Sequence, residues 1–107
     1  MFTRVIEVQS KPGRARELCQ IVSDKVLPVL RNQPGFVDLL VLVSSTQSDR
    51  ILAMSLWRTQ EDAERYNREQ YPTVNELMKH QVASAPKVQT FTVDLSTTHQ
   101  IAAGKAA

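Results

Sequence analysis

Between Phe36 and Ser45 the chain carries large apolar side chains on both alternating sets of positions: Phe36, Leu40 and Leu42 on one, Val37, Leu39, Val41 and Val43 on the other. Successive side chains of a strand point to opposite faces, so a strand apolar on both sets has to be covered on both faces. A sheet wet on one side through its middle is thereby ruled out. The rest of the chain, or a second copy of it, must supply two covers.

The flanking segments show where the covers come from. Residues 2–9 alternate around the β-branched Val5, Ile6 and Val8 and read as a first strand, ended by the turn-forming Lys11-Pro12-Gly13. From Arg14 the apolar residues recur at Ala15, Leu18, Ile21, Val22, Val26 and Leu30, the spacing of one helix face, which predicts a helix to about Asn32. Pro28 lacks an N–H inside it and predicts a kink or break in the last turn, before Gln33-Pro34-Gly35 ends the helix. The polar run Ser45-Thr46-Gln47-Ser48-Asp49 leads to a strand over 50–58, and the two strands pair as a hairpin. Thr59, with Asp62 three residues on, opens a helix in the manner of a capping box. Tyr71-Pro72 precedes a second short helix over about 73–83, and residues 88–95 alternate as a last strand. Residues 1–95 form the domain; residues 96–107 have no period and read as a C-terminal tail, frayed or lying on a partner.

The order β-α-β-β-α-α-β is that of a ferredoxin-like split βαβ fold, an α+β architecture with an antiparallel four-stranded sheet and helices on one face. Helices cover only one of the two faces that the central strands require. A homodimer packed sheet against sheet is the simplest second cover, with the tail as a lesser one.

Composition narrows the function classes. The 107 residues, 42% hydrophobic and 22% charged, can sustain a core without staples. Cys19 is the only cysteine, which excludes an intrachain disulfide and a cysteine-rich zinc site and suits a cytoplasmic protein. Thirteen basic and eleven acidic residues are interleaved, so no basic stripe offers itself to nucleic acid. Leu39–Val43, the longest apolar run, is too short to span a membrane, and Arg4 and Glu7 interrupt the place of a secretory signal.

Candidate chemistry gathers on the strand over 50–58. One of its faces is uniformly large (Leu52, Met54, Leu56), while the other sets Trp57 beside the small Ala53 and Ser55, as a cavity wall requires. Polar groups that the following helices could bring to such a cavity are Tyr66, Asn67, Tyr71 and His80. His80 has the side chain best suited to acid–base work near neutral pH. Tyr66 and Asn67 are neighbours about 100° apart on a helix, so at most one points squarely inward. His80 and His99 form no recognisable ligand pattern with an acidic or thiol residue, which argues against a metal, and Gly13, Gly35 and Gly104 are too isolated to make a phosphate loop. Arg4 and Arg58 could hold an anion, although arginines at strand ends usually serve only solvation.

Lys-Pro-Gly at 11–13, Leu-Pro at 27–28, Pro-Gly-Phe at 34–36 and Ser-Leu-Trp-Arg-Thr-Gln-Glu-Asp-Ala at 55–63 together resemble the antibiotic biosynthesis monooxygenase (ABM) family over about residues 1–95. The resemblance implies a homodimeric α+β barrel and, for one branch, oxidation of polyketide aromatics or quinols by O₂ without metal or flavin. It also names two patterns from which this chain departs. Where the haem-degrading branch has Asn, Trp and His, this chain has Ile6, Trp57 and Asn67; where the polyketide-oxidising branch has an Asn four residues before its Trp, it has Ala53. The implied function is a cofactor-independent monooxygenase of a small aromatic, with His80 and Asn67 as catalytic candidates and Trp57, Tyr71, Tyr66 and Phe36 as substrate contacts. The alternative is a non-catalytic dimeric small-molecule binding or stress-associated protein of the same fold.

Overall fold

The computed structural model of the chain describes residues 1–101. Four strands, β1 (Phe2–Gln9), β2 (Phe36–Val43), β3 (Arg50–Trp57) and β4 (Lys87–Thr92), form one sheet in the order β2-β3-β1-β4, with every neighbouring pair antiparallel. Helices α1 (Ala15–Ile21) and α2 (Leu27–Arg31) are joined by a π-helical turn over Val22–Val26. Helices α3 (Gln60–Glu69) and α4 (Tyr71–Met78) follow β3, and α4 runs on as a 3-10 turn over Lys79–Gln81. This is the α+β ferredoxin-like fold that the element order predicts. Among the described residues no helix is long and apolar enough to cross a membrane.

The effect of Pro28 falls ahead of the proline. Having no N–H, it cannot bond the carbonyl of Asp24 four residues back, and its ring crowds that carbonyl. The ladder widens over Val22–Val26, and the helix resumes with Pro28 in the first turn of α2, where a missing donor is tolerated. The rod thus continues to Arg31 instead of breaking in its last turn. Helix α4 starts earlier than expected because Pro72 suits a first turn, and it ends at Met78 with a 3-10 turn, after which extended Val82 bridges to Ser10.

The two faces of the sheet separate cleanly. Phe2, Arg4, Ile6 and Val8 of β1 and Ile51, Ala53, Ser55 and Trp57 of β3 face the helices, and the core of Leu18, Val22, Val26, Leu30, Val74 and Met78 packs on them. A bulge between Phe36 and Asp38 turns Phe36 to this same face with Leu39 and Val41, whereas strict alternation groups it with Leu40 and Leu42. The opposite face carries Leu40, Leu42, Leu52, Met54, Leu56 and Phe91, of which Leu40 and Phe91 are 42% and 50% exposed.

Part of that open face is covered by the chain's own C-terminal segment. Ser96 and Ile101 exchange two backbone hydrogen bonds, closing a small hairpin that buries Ile101. His99 Nε2 of the hairpin lies 3.3 Å from Asp38 Oδ2 of β2. The tail up to Ile101 therefore folds back on its own domain, and residues 102–107 of the expected tail lie outside the described residues.

Candidate functional site

One charged residue stands on the helix-covered face of the sheet among the described residues. Arg4 shares that face with Ile6 and Val8, stands in register between Ser55 of β3 and Thr90 of β4, and is 2% exposed. Its Nη2 donates to Asn67 Oδ1 on α3 at 2.9 Å. The guanidinium carbon lies 5.1 Å from the ring centre of Tyr66 and 4.8 Å from that of Tyr71, within cation–π range of both. Its Nη1 is buried with no hydrogen-bond partner among the described residues. The Tyr66 hydroxyl approaches the guanidinium closely enough for a weak hydrogen-bonding contact with it, without the geometry that would satisfy Nη1. A buried charge held this way, by an amide and two rings instead of a carboxylate, costs stability.

The elements that frame Arg4 are set by local sequence. Thr59 Oγ1 accepts from Asp62 N at 3.1 Å and caps α3, so that Ala63 and Tyr66, three residues apart, both turn inward. Gly35, at a φ of 80°, lets the preceding turn lie against this helix start; a Cβ there would strike the Asp62 side chain. Asn67 remains on the solvent side of α3, and only its amide oxygen reaches the arginine. Behind Tyr66 stands Trp57, fully buried, its ring 5.1 Å from Tyr66 and 5.7 Å edge-on from Phe36. The Trp57 indole donates to Ser55 Oγ at 2.9 Å, which satisfies its polar atom within its own strand.

Ionisation follows burial. The Tyr66 phenol is pushed up to about 12 by burial, with the Arg4 charge opposing, and Tyr71 is raised for the same reason. Burial lowers the Arg4 guanidinium, with Tyr66 and Tyr71 opposing. At neutral pH the cluster is one cation and two intact phenols.

Two hollows meet at Arg4. The inner one, about 40 Å³, lies between sheet and helices and is lined by apolar side chains apart from Arg4, Ser55 and Tyr66. Val22 and Val26, which begin and end the π-helical turn, are part of its wall. The outer one, about 130 Å³, lies between α3 and the β1–β4 edge, with Gln60, Glu64, Asn67 and Thr90 on its rim and Phe2 and Ala63 among its lining.

Of the residues singled out in the sequence, Asn67, Tyr66 and Tyr71 are brought together around Arg4, and Trp57 and Phe36 stand one layer behind them. His80 is not brought there: it is exposed on the 3-10 turn and lines neither hollow. Arg4 itself, set aside in the sequence as a strand-end arginine, occupies the centre. The signal was available in its parity, since a charged residue in step with Ile6 and Val8 must enter the core.

Comparison with known proteins agrees with this architecture. No curated protein sequence matches. Among solved structures, ActVA-Orf6 of Streptomyces coelicolor, a monooxygenase seen in complex with nanaomycin D, superposes with a TM-score of 0.75 at 16% identity, over 89% of this chain and 88% of that one. SnoaB of Streptomyces nogalater, a cofactor-independent oxygenase, gives 0.75 at 14% identity over 90% and 95%. NE2512 of Nitrosomonas europaea, a protein of unknown function, gives 0.73 at 11% over 90% and 91%. At such identities the likeness establishes a shared fold, and that fold carries more than one role. The family itself is shown by the sequence, for residues 1–72 match the antibiotic biosynthesis monooxygenase (ABM) family, and the chain belongs to it.

Proposed function

We propose that the chain is a cofactor-independent monooxygenase that oxidises a small phenolic or quinol-like aromatic with O₂ at the Arg4 cluster. The observation that carries this reading is Nη1 of Arg4, a strong donor that is buried, has no hydrogen-bond partner among the described residues and is walled by aromatic and apolar groups. A phenolate oxygen is the kind of acceptor such a donor selects, and Tyr66 and Tyr71 offer ring surface beside it. Because Arg4 favours the anion over the neutral phenol, the substrate releases its proton to solvent on binding.

The anion then passes one electron to O₂, and the radical pair joins at the ring carbon para to the phenolate oxygen, making a carbon-bound peroxide. Cleavage of the O–O bond with loss of the C–H proton leaves a quinone. That proton and one from Tyr66, which remains a phenol at neutral pH, end on the departing oxygen as water. Tyr66 recovers its proton from solvent. The sum is phenol plus O₂ to quinone plus water, with the substrate as sole reductant. Asn67 is a positioning residue in this scheme, holding Nη2 so that Nη1 stays free. His80 has no step. We place two copies of the chain sheet to sheet, so that Leu40, Leu42 and Phe91 are covered by a partner.

The test is oxygen uptake with a panel of phenols, hydroquinones and anthrones, comparing native protein with Arg4→Met and Arg4→Lys. Arg4→Met is expected to lower turnover about 100-fold or more, as loss of a positioned oxyanion donor does. Arg4→Lys keeps the charge without the fork and is expected to fall between. Equal rates in native protein and Arg4→Met would overturn the reading. A ligand that raises the melting temperature while no oxygen is consumed would mark a binding protein instead.

A further inference from the structure

The cavity between sheet and helices has Arg4 and Tyr66 on its lining, yet at about 40 Å³ it is smaller than a ring needs. An apolar cavity that takes benzene measures on the order of 150 Å³, so an aromatic enters only where a wall gives way. The sheet wall is stiff, because β1 and β3 pair along their full length in one unbroken register. The helical wall has two irregular places, and they adjoin. Val22 and Val26 begin and end the π-helical turn, where the Leu27 N–H reaches back five residues to the Val22 carbonyl and Pro28 offers no donor to Asp24. Helix α4 packs on that turn and brings Val74 and Met78 to the cavity, with Met78 as its last residue before the 3-10 turn. An unbranched methionine has three rotatable bonds and repacks more readily than a valine or leucine.

We propose that this seam, with Val22 and Val26 on one side and Met78 on the other, yields to admit one aromatic ring and excludes a fused pair, so that the chain selects single-ring phenols and hydroquinones. The inference rests on the oxygenase reading above and narrows its substrate. The π-helical turn yields at lower cost than a regular helix because Pro28 already interrupts the α ladder at Asp24, which leaves one bond fewer to break. Met78 turning aside and Val22 and Val26 moving outward widen the cavity from the helical side. The sheet side keeps its place, with Arg4 bonded to Asn67 and Ser55 bonded to the Trp57 indole. Beyond the seam the walls stop giving. Leu18 and Val74 are buried on regular stretches of α1 and α4, and Ile51 is buried on β3, so a second ring meets close-packed side chains and the cost of overpacking. Apolar area alone ranks ligands the other way, since two fused rings remove more carbon from water than one. Preference for the smaller ligand is therefore the mark of a wall.

Calorimetric titration without oxygen reads binding apart from turnover. Native protein is expected to bind hydroquinone about tenfold or more tightly than 1,4-naphthalenediol. Met78→Ala empties one side of the seam and is expected to bring the two affinities within about twofold, and Val26→Ala, a smaller cut on the other side, to lower their ratio about threefold. Pro28→Ala returns a donor to the Asp24 carbonyl and is expected to weaken hydroquinone about fivefold, with slower amide exchange over Val22–Val26. Thr90→Phe fills the outer crevice and is expected to leave both affinities within about twofold. No hydroquinone binding to native protein, a ratio near one, or a ratio that neither Met78→Ala nor Val26→Ala moves would overturn the size filter. Unchanged hydroquinone affinity in Pro28→Ala would overturn the yielding turn, and loss of hydroquinone binding in Thr90→Phe would take the ring out of the seam. If the size order holds without oxygen but admitting air gives no oxygen uptake with hydroquinone, the oxygenase reading fails and the single-ring site stands.

Discussion

The helix-covered and open faces of this sheet are both rich in apolar side chains, yet they use them differently. On the helix side the apolar residues close a core around a single charge, and the chain tolerates that charge 2% exposed with one nitrogen unpaired among the described residues. On the open side, Leu40, Leu42 and Phe91 remain partly exposed, and His99 of the C-terminal hairpin lies 3.3 Å from Asp38 of β2. The difference teaches that a two-sided apolar strand states a need for covers but not what lies beneath each. One cover here encloses a polar site; the other invites a partner. The experiments below either deepen that contrast or erase it.

The largest difference expected is in stability. Trp57 is fully buried, packs on Tyr66 and Phe36, and gives its N–H to Ser55. Trp57→Ala should cost about 3–5 kcal/mol in urea unfolding, against about 1 kcal/mol or less for Leu40→Ala measured on dilute, monomeric protein. Comparable losses at the two positions would mean that the open face is as much a core as the helix side.

Next in size is a pH effect confined to the helix side. Tyr66 is raised from 10 to about 12 by burial, so the folded chain keeps a proton that the unfolded chain gives up. Its stabilising contribution is present in full below pH 10 and is lost as pH rises through about 12. Two pKa units correspond to about 2–3 kcal/mol. Tyr66→Phe should flatten the stability profile over that window, and absorbance at 295 nm should show Tyr66 ionising late. An unchanged profile in Tyr66→Phe would place the phenol in water and open the helix side of the comparison.

On the open face the expected effect is on assembly. Leu40→Glu and Phe91→Glu put a carboxylate on the surface proposed to meet a partner. They should weaken self-association at least tenfold by sedimentation while the monomer stays folded. Native protein that sediments as a monomer at all concentrations would remove the partner and leave the hairpin ending at Ile101 as the only cover identified among the described residues.

Much of this contrast was written in the sequence, and its limits have physical causes. Alternation and helical spacing report which residues are apolar and how often they recur, so β1, β3, the Thr59 cap and the ferredoxin-like order were legible. Phe36 was misgrouped because a bulge inserts a residue that no period shows. The π-helical turn was hidden because the crowding at Pro28 is relieved upstream of the proline. At the site, the Tyr66–Asn67–Tyr71 group could be anticipated from helix spacing, but its organiser could not be, because the distance from Arg4 to Asn67 is one of 63 residues along the chain. Only the parity of Arg4 with Ile6 and Val8 hinted at it.

The smallest expected effect tests the residue whose chemistry looked best in isolation. His80 has the side chain most suited to proton transfer, and chemistry alone ranks it above Asn67. Position reverses that order: Asn67 grips the buried guanidinium at 2.9 Å, whereas His80 stands exposed on the 3-10 turn and lines neither hollow. His80→Ala should therefore leave kcat and KM within twofold, whereas Asn67→Ala, by freeing Nη2 to turn, should lower kcat about tenfold or more. Asn67→Asp sharpens the pair, since a carboxylate would neutralise Arg4 and raise KM for the phenolate more than Asn67→Ala does. A steep loss in His80→Ala with Asn67→Ala unaffected would move proton transfer off the Arg4 cluster and onto the 3-10 turn, and with it the centre of the helix-side site.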